Sequence, residues 1–213
     1  PYTTLFRSIA LISINIYDYD IYGSVSSSIL HASFQTSSVM STTGFTTADF
    51  DKWPALSRTI LLILMFIGGC AGSTAGGFKV SRVIIIFKKL KMDLKRILHP
   101  RTMTVVKFEG KRLDDETITG VSSYLTVYVI VFFIVFLLLS LDPNIPNALA
   151  IETNFSATVS CFNNVGPGLS AVGPMANYAI YSPFSKVVLT LAMLLGRLEI
   201  YPILLTLTAT TWI

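Results

Sequence analysis

Apolar residues fall into three long blocks, Ile60 to Ile86, Ile118 to Leu141 and Phe184 to Ile213, the first with a glycine-rich interruption. Each block supplies the ~20 residues that a helix rising ~1.5 Å per residue needs to cross ~30 Å of hydrocarbon. Between them lie shorter half-polar segments, about Ser24 to Met40 and about Asn147 to Phe162. The first carries Ser24, Ser26, Ser27, Ser28, Gln35, Thr36 and Ser37, too many hydroxyls and amides to face lipid. Irregular backbone at membrane depth is tolerated only inside protein or along a cavity, so these segments predict re-entrant helix-loops.

The pattern repeats. Ser38-Val39-Met40-Ser41-Thr42-Thr43-Gly44 aligns with Ser160-Cys161-Phe162-Asn163-Asn164-Val165-Gly166. Ser57-Arg58, Met65 and Gly68 recur at the same internal spacing as Ser185-Lys186, Met193 and Gly196, after a connecting loop six residues longer. Two units follow, residues 9–112 and 113–213, each reading helix, short helix, glycine-containing loop, helix. The first keeps only the tail of its opening helix, near Ile9 to Ile16. Residues 1–8 (PYTTLFRS) read like a translated sequencing adapter, so the native fold is expected from Ile9. The fold class is an all-α membrane protein of repeated helix–pore-loop–helix units, the plan of K⁺-channel subunits.

Composition agrees: 52% hydrophobic and 13% charged residues lie outside soluble norms. A pI near 9.1 would suggest nucleic acid in a soluble protein. Eleven of the sixteen basic residues, however, lie between Lys79 and Arg112, as expected of a cytoplasmic loop joining two spans. The opposite loops carry Asp18, Asp20, Asp49, Asp51 and Asp142. These either concentrate cations at an outer mouth or are ordinary solvated charge. Cys70 and Cys161 sit in apolar surroundings and read as packing residues.

A dehydrated cation needs oxygen ligands, which extended backbone carbonyls supply. Thr42-Thr43-Gly44-Phe45 and Asn164-Val165-Gly166-Pro167 each place a glycine just after a short helix whose C-terminal dipole end favours a cation. They are the candidate K⁺-binding filter segments; a glycine C-cap is the alternative. The interruption holds Gly68, Gly69, Gly72, Ser73, Thr74, Gly76 and Gly77, too glycine-rich for a continuous helix. A broken helix of this kind lines a cavity or packs in protein, or it is a kink packed through small residues; the family resemblance given below implies a gate that obstructs the pore. Gly72 to Gly77 mimics a phosphate loop, but Phe78 stands where lysine is required and no strand precedes it. Arg197, opposite Gly69 in the repeat alignment, either bonds the interruption's carbonyls at gate depth or snorkels to the inner headgroups. Glu199 lies on another helix face.

The strings STTGFTTADFD, GGCAGSTAGGFK, HPRTMTVVK, NNVGPGL and MLLGRLEIYP resemble the Trk/Ktr/HKT superfamily of K⁺ transporters, in its TrkH-like branch. The resemblance implies four helix-pore-helix repeats around one pore, of which these are the third and fourth, with the loss at the front. It further implies K⁺ uptake at the bacterial inner (plasma) membrane, multi-pass insertion, no enzymatic activity, no cofactor beyond the transported K⁺, and homodimers of the full-length protein. A cytosolic nucleotide-binding ring is an implied partner for the basic 79–112 face, which anionic lipid would equally explain. Two alternatives stand beside K⁺ uptake: a pathway permeable to both Na⁺ and K⁺, and a membrane assembly subunit that does not conduct.

Overall fold

The computed structural model describes residues 2–69, 73, 75–99, 105–108, 111–198 and 200–206. Of the residues singled out above, Cys70, Gly72, Thr74 and Glu199 lie outside the described residues, as do positions 100–104 of the HPRTMTVVK string.

The first unit is built from α1 (Tyr2–Asp18), α2 (Val25–Met40) and α3 (Ala55–Phe66), each packed against the other two. The second repeats that triangle with α5 (Asp115–Leu139), α6 (Asn147–Phe162) and α7 (Pro183–Arg197). The units meet where α3 packs on α6 and where α4 (Val80–Leu98) packs on α5. Both short helices fall where the half-polar segments predict them. Ser24 caps α2 by accepting from the Ser27 N–H at 3.2 Å. α1 runs without a break from Tyr2 through Ser8 into Ile9.

Among the described residues, α5 alone is long and apolar enough to cross a membrane unaided. It buries Tyr124, Tyr128, Phe132, Val135 and Leu139 at helical spacing and leaves Ile130, Phe133, Ile134 and Leu137 exposed. That outward apolar stripe suits a lipid-facing surface. Aromatic rings join the units: Phe66 at the end of α3 lies 5.5 Å from Phe132 and 6.2 Å from Phe155 between ring centroids.

One feature follows the sequence reading and two depart from it. The block Ile60 to Ile86 is cut in two: α3 stops at Phe66, and β1 (Ile67–Gly68) pairs in parallel with β2 (Phe78–Lys79) before α4 begins. A parallel pairing of residues eleven apart means that the chain loops out and returns in its original direction. Much of the basic stretch from Lys79 is helix rather than loop. No glycine or proline interrupts Val80 to Leu98, Lys95 and Arg96 suit its C-terminal dipole end, and Pro100 disfavours helix at His99. A hairpin of β3 (Lys107–Phe108) and β4 (Lys111–Arg112) follows. The last apolar block also breaks, α7 ending at Arg197 and α8 (Ile200–Thr206) restarting after it. Pro202 explains the break, because in a continuous helix it would lack the N–H owed to the Leu198 carbonyl and its ring would clash there.

Asp142, in the loop after α5, accepts from the Ser182 N–H at 2.8 Å and the Asn144 N–H at 3.0 Å, and so fixes the entry to α7. Burial pushes its carboxyl up, but hydrogen bonds from Ser185, Asn144 and Ser182 outweigh this and bring it from 3.8 down to about 2. A depressed folded-state value stabilises above the unfolded one and loses that contribution as pH falls through the folded one. Thermal midpoints in detergent should therefore drop for the wild type as pH is lowered from 3.8 to about 2. Asp142→Asn should start lower and lose less across that window; parallel curves would contradict the assignment.

Candidate functional site

The buried end of α6 builds the second glycine turn. Every residue from Ser156 to Asn163 is buried. Burial withdraws that helix end from solvent, so the backbone leaving it is bonded by protein groups. Asn164 N–H donates to the Cys161 carbonyl at 3.1 Å and Val165 N–H to the Ser160 carbonyl at 2.9 Å. Gly166 N–H donates to Ser160 Oγ at 3.1 Å, and the Gly166 carbonyl accepts from Tyr178 OH at 2.8 Å. Asn163 locks the helix end: its Nδ2 donates to the Val159 carbonyl at 2.8 Å and its Oδ1 accepts from Tyr128 OH at 2.7 Å.

The first turn copies this ladder. Thr42 N–H donates to the Val39 carbonyl at 3.1 Å and Thr43 N–H to the Ser38 carbonyl at 2.9 Å. Thr42 and Asn164 share left-handed backbone, with φ of 56° and 57°. For a β-branched threonine that conformation costs about 1 kcal/mol or more, so the surrounding bonds must hold it. Gly44 and Gly166 follow at φ 79° and 114°, which side chains rarely adopt. The two copies differ at the equivalent serines: Ser38 Oγ donates to the Phe45 carbonyl at 2.7 Å, whereas Ser160 Oγ accepts from Gly166 N–H.

The two turns touch. A Cβ at Gly44 would collide with the Val165 carbonyl oxygen, and Gly44 Cα lies 3.8 Å from where a Gly166 Cβ would sit. All eight predicted filter residues thus belong to two abutting turns at the ends of α2 and α6. Outside them the units are tied by charge: Asp51 Oδ1 accepts from the Ser170 N–H at 3.0 Å, while Arg58 reaches Asp51 at 3.5 Å and Glu152 at 3.2 Å. Asp49 pairs with Lys52 at 3.2 Å. These outer carboxylates hold loops together.

The interruption lies against the same helix end. A Cβ at Gly76 would strike the Asn163 carbonyl and one at Gly77 would come within 3.0 Å of Asn163 Oδ1. Gly196 of α7 packs as closely on the Phe162 carbonyl. Gly68 and Gly69 form the exit from α3, Gly68 against the Gly76 carbonyl and Gly69 accepting from Val80 N–H at 3.3 Å. Arg197 lines a cavity of about 190 Å³ with Ser73, Ala75, Gly77, Lys79 and Tyr124. The structure therefore brings Arg197 beside the interruption. Sequence reasoning missed Arg82, whose guanidinium stacks 4.0 Å over the Tyr124 ring, and Tyr178. A cation amid the apolar residues of α4 was the available signal for Arg82; Tyr178 had none.

The family model described as TrkH, cation transport protein, matches residues 4–211. The Trk system potassium uptake protein TrkH of Salmonella typhimurium is 34% identical over 96% of this chain and 41% of its own length. That of Vibrio parahaemolyticus is 39% identical over 85% of this chain and 36% of its own. The crystal structure of the potassium transporter TrkH from Vibrio parahaemolyticus superposes with a TM-score of 0.87 at 33% identity, covering 100% of this chain and 44% of that one. The chain thus spans about two fifths of the length of the curated relatives it matches. With nearly all of its residues matched by that family model, and its fold shared with a solved member, the chain belongs to the TrkH family of cation transport proteins.

Proposed function

We propose that this chain supplies two of four units enclosing a K⁺ uptake pathway across the bacterial inner membrane. It is part of an ion transporter, not an enzyme, and K⁺ is its cargo. The carbonyls of Thr42 to Phe45 and Asn164 to Pro167 are the ion ligands contributed here. The observation that carries this reading is the shared hydrogen-bond ladder of two glycine turns that abut each other at the buried ends of α2 and α6. Ordinary helix caps would have no reason to meet. The interruption between α3 and α4, with Arg197 beside it, acts as the gate, supported by its seat against Asn163 at the base of the second turn. In the full-length protein, homodimer formation and docking of a cytosolic nucleotide-binding ring on the basic 79–112 face belong to the same proposal.

Gly44→Ser and Gly166→Ser test the filter in the full-length protein. Each should lower the K⁺/Na⁺ permeability ratio at matched abundance by roughly tenfold, equivalent to ~1.4 kcal/mol of lost discrimination. Gly44→Ser should also fold less well, since its side chain meets the Val165 carbonyl. A capping role instead predicts a stability cost of about 1 kcal/mol with ion preference unchanged.

Deleting residues 71–75 should raise K⁺ flux by removing an obstruction, and Arg197→Ala should act in the same direction. Flux and open probability unmoved by both changes, with surface abundance confirmed, would remove the gate assignment.

A further inference from the structure

The second unit differs from the first in the six extra residues of its connecting loop, and those residues make room for a contact that the first unit lacks among the described residues. The loop is not free to wander. Ser156 Oγ accepts from the Leu169 N–H at 3.0 Å and donates to the Leu169 carbonyl at 3.1 Å, so the loop's start is held to α6. Tyr181, buried, donates through its hydroxyl to Asn154 Oδ1 on the same helix at 2.9 Å. Between these anchors a 3₁₀ turn at Tyr178–Ile180 presents Tyr178, whose ring stacks 6.2 Å from that of Tyr181 and whose hydroxyl reaches the Gly166 carbonyl at 2.8 Å. Gly166 is therefore gripped on both sides, N–H by Ser160 and carbonyl by Tyr178.

We infer that Tyr178 is a specificity-determining positioning residue, acting on the ion through the Gly166 carbonyl. This rests on the filter reading above. A carbonyl oxygen has two lone pairs, so one can accept from the phenol while the other faces the pathway. The phenol fixes the carbonyl's direction and draws negative density from its oxygen. Discrimination among cations depends on the field strength of the coordinating carbonyls, and a smaller ion, which approaches more closely, gains more from a stronger field. Removing the hydroxyl strengthens and loosens this ligand, which favours Na⁺ relative to K⁺.

The test uses the full-length protein reconstituted in liposomes, with the K⁺/Na⁺ permeability ratio read from reversal potentials for Tyr178→Phe, Tyr181→Phe and Gly166→Ser. Tyr178→Phe keeps the ring and its stacking, so a packing role leaves the ratio unmoved. The expected result is a fall of about fivefold, as loss of one hydrogen bond allows, with Tyr181→Phe within about twofold of wild type. An unchanged ratio in Tyr178→Phe beside a lowered one in Gly166→Ser overturns this inference alone. Equal falls in both tyrosine variants also overturn it, because they would report general loosening. If Gly166→Ser is itself unchanged, the filter reading fails and this inference with it. Should Tyr178→Phe not accumulate, 3-fluorotyrosine placed at position 178 gives a stronger donor on the same ring. The ratio should then rise above wild type, and no change would count against the role.

Discussion

Backbone polar groups at membrane depth have no water to bond, and the rest of this structure is organised around satisfying them. At the end of α6 each freed N–H finds a carbonyl or hydroxyl of the helix it has just left. Ser160, Asn163, Tyr128 and Tyr178 are the side chains that complete the set. This is why α6 is rich in hydroxyls and amides although it is the most deeply buried helix of its unit. Thr158, for instance, is fully buried and donates to the Asn154 carbonyl at 2.7 Å.

The same requirement produces both similarity and difference between the units. A short helix ending in a left-handed residue and then a glycine is a compact way to turn the chain back, and both units use it with nearly equal hydrogen-bond lengths. What lies behind the glycine is not shared. In the first unit a serine donates to the carbonyl after the glycine, and in the second a tyrosine from a longer loop takes the glycine's own carbonyl. The two units thus differ at the level of single carbonyls, as expected when repeats are joined in one chain and free to differ.

The last helix of each triangle breaks at nearly the same point of the repeat alignment, after Phe66 in the first unit and after Arg197 in the second. The reasons are local and different: glycines in one case, Pro202 in the other. The first break is repaired by the parallel pairing of Ile67–Gly68 with Phe78–Lys79, which satisfies backbone while letting the loop project against Asn163. Small residues at Gly76 and Gly196 allow that approach, since any larger side chain would strike a carbonyl at the end of α6.

The repeat, the fold class, the bounds of α2 and α6 and the two glycine turns were legible in the sequence, because each rests on periodicity, local polarity or a residue type with few uses. The placing of Arg197 beside the interruption was legible too, through the alignment of one unit on the other. Less visible were the helical course of the basic stretch, where a run of charge masks helix propensity, and the break at Pro202, hidden in an apolar run. Other features had no signal in the chain: the contact of Gly44 with the Val165 carbonyl, the Asp51–Arg58–Glu152 tie and the reach of Tyr178 to Gly166. They join residues far apart in sequence, and which distant groups meet is decided by how the two helix triangles pack. Local pattern determined what each segment could be; only tertiary packing decided which carbonyl each hydroxyl would find.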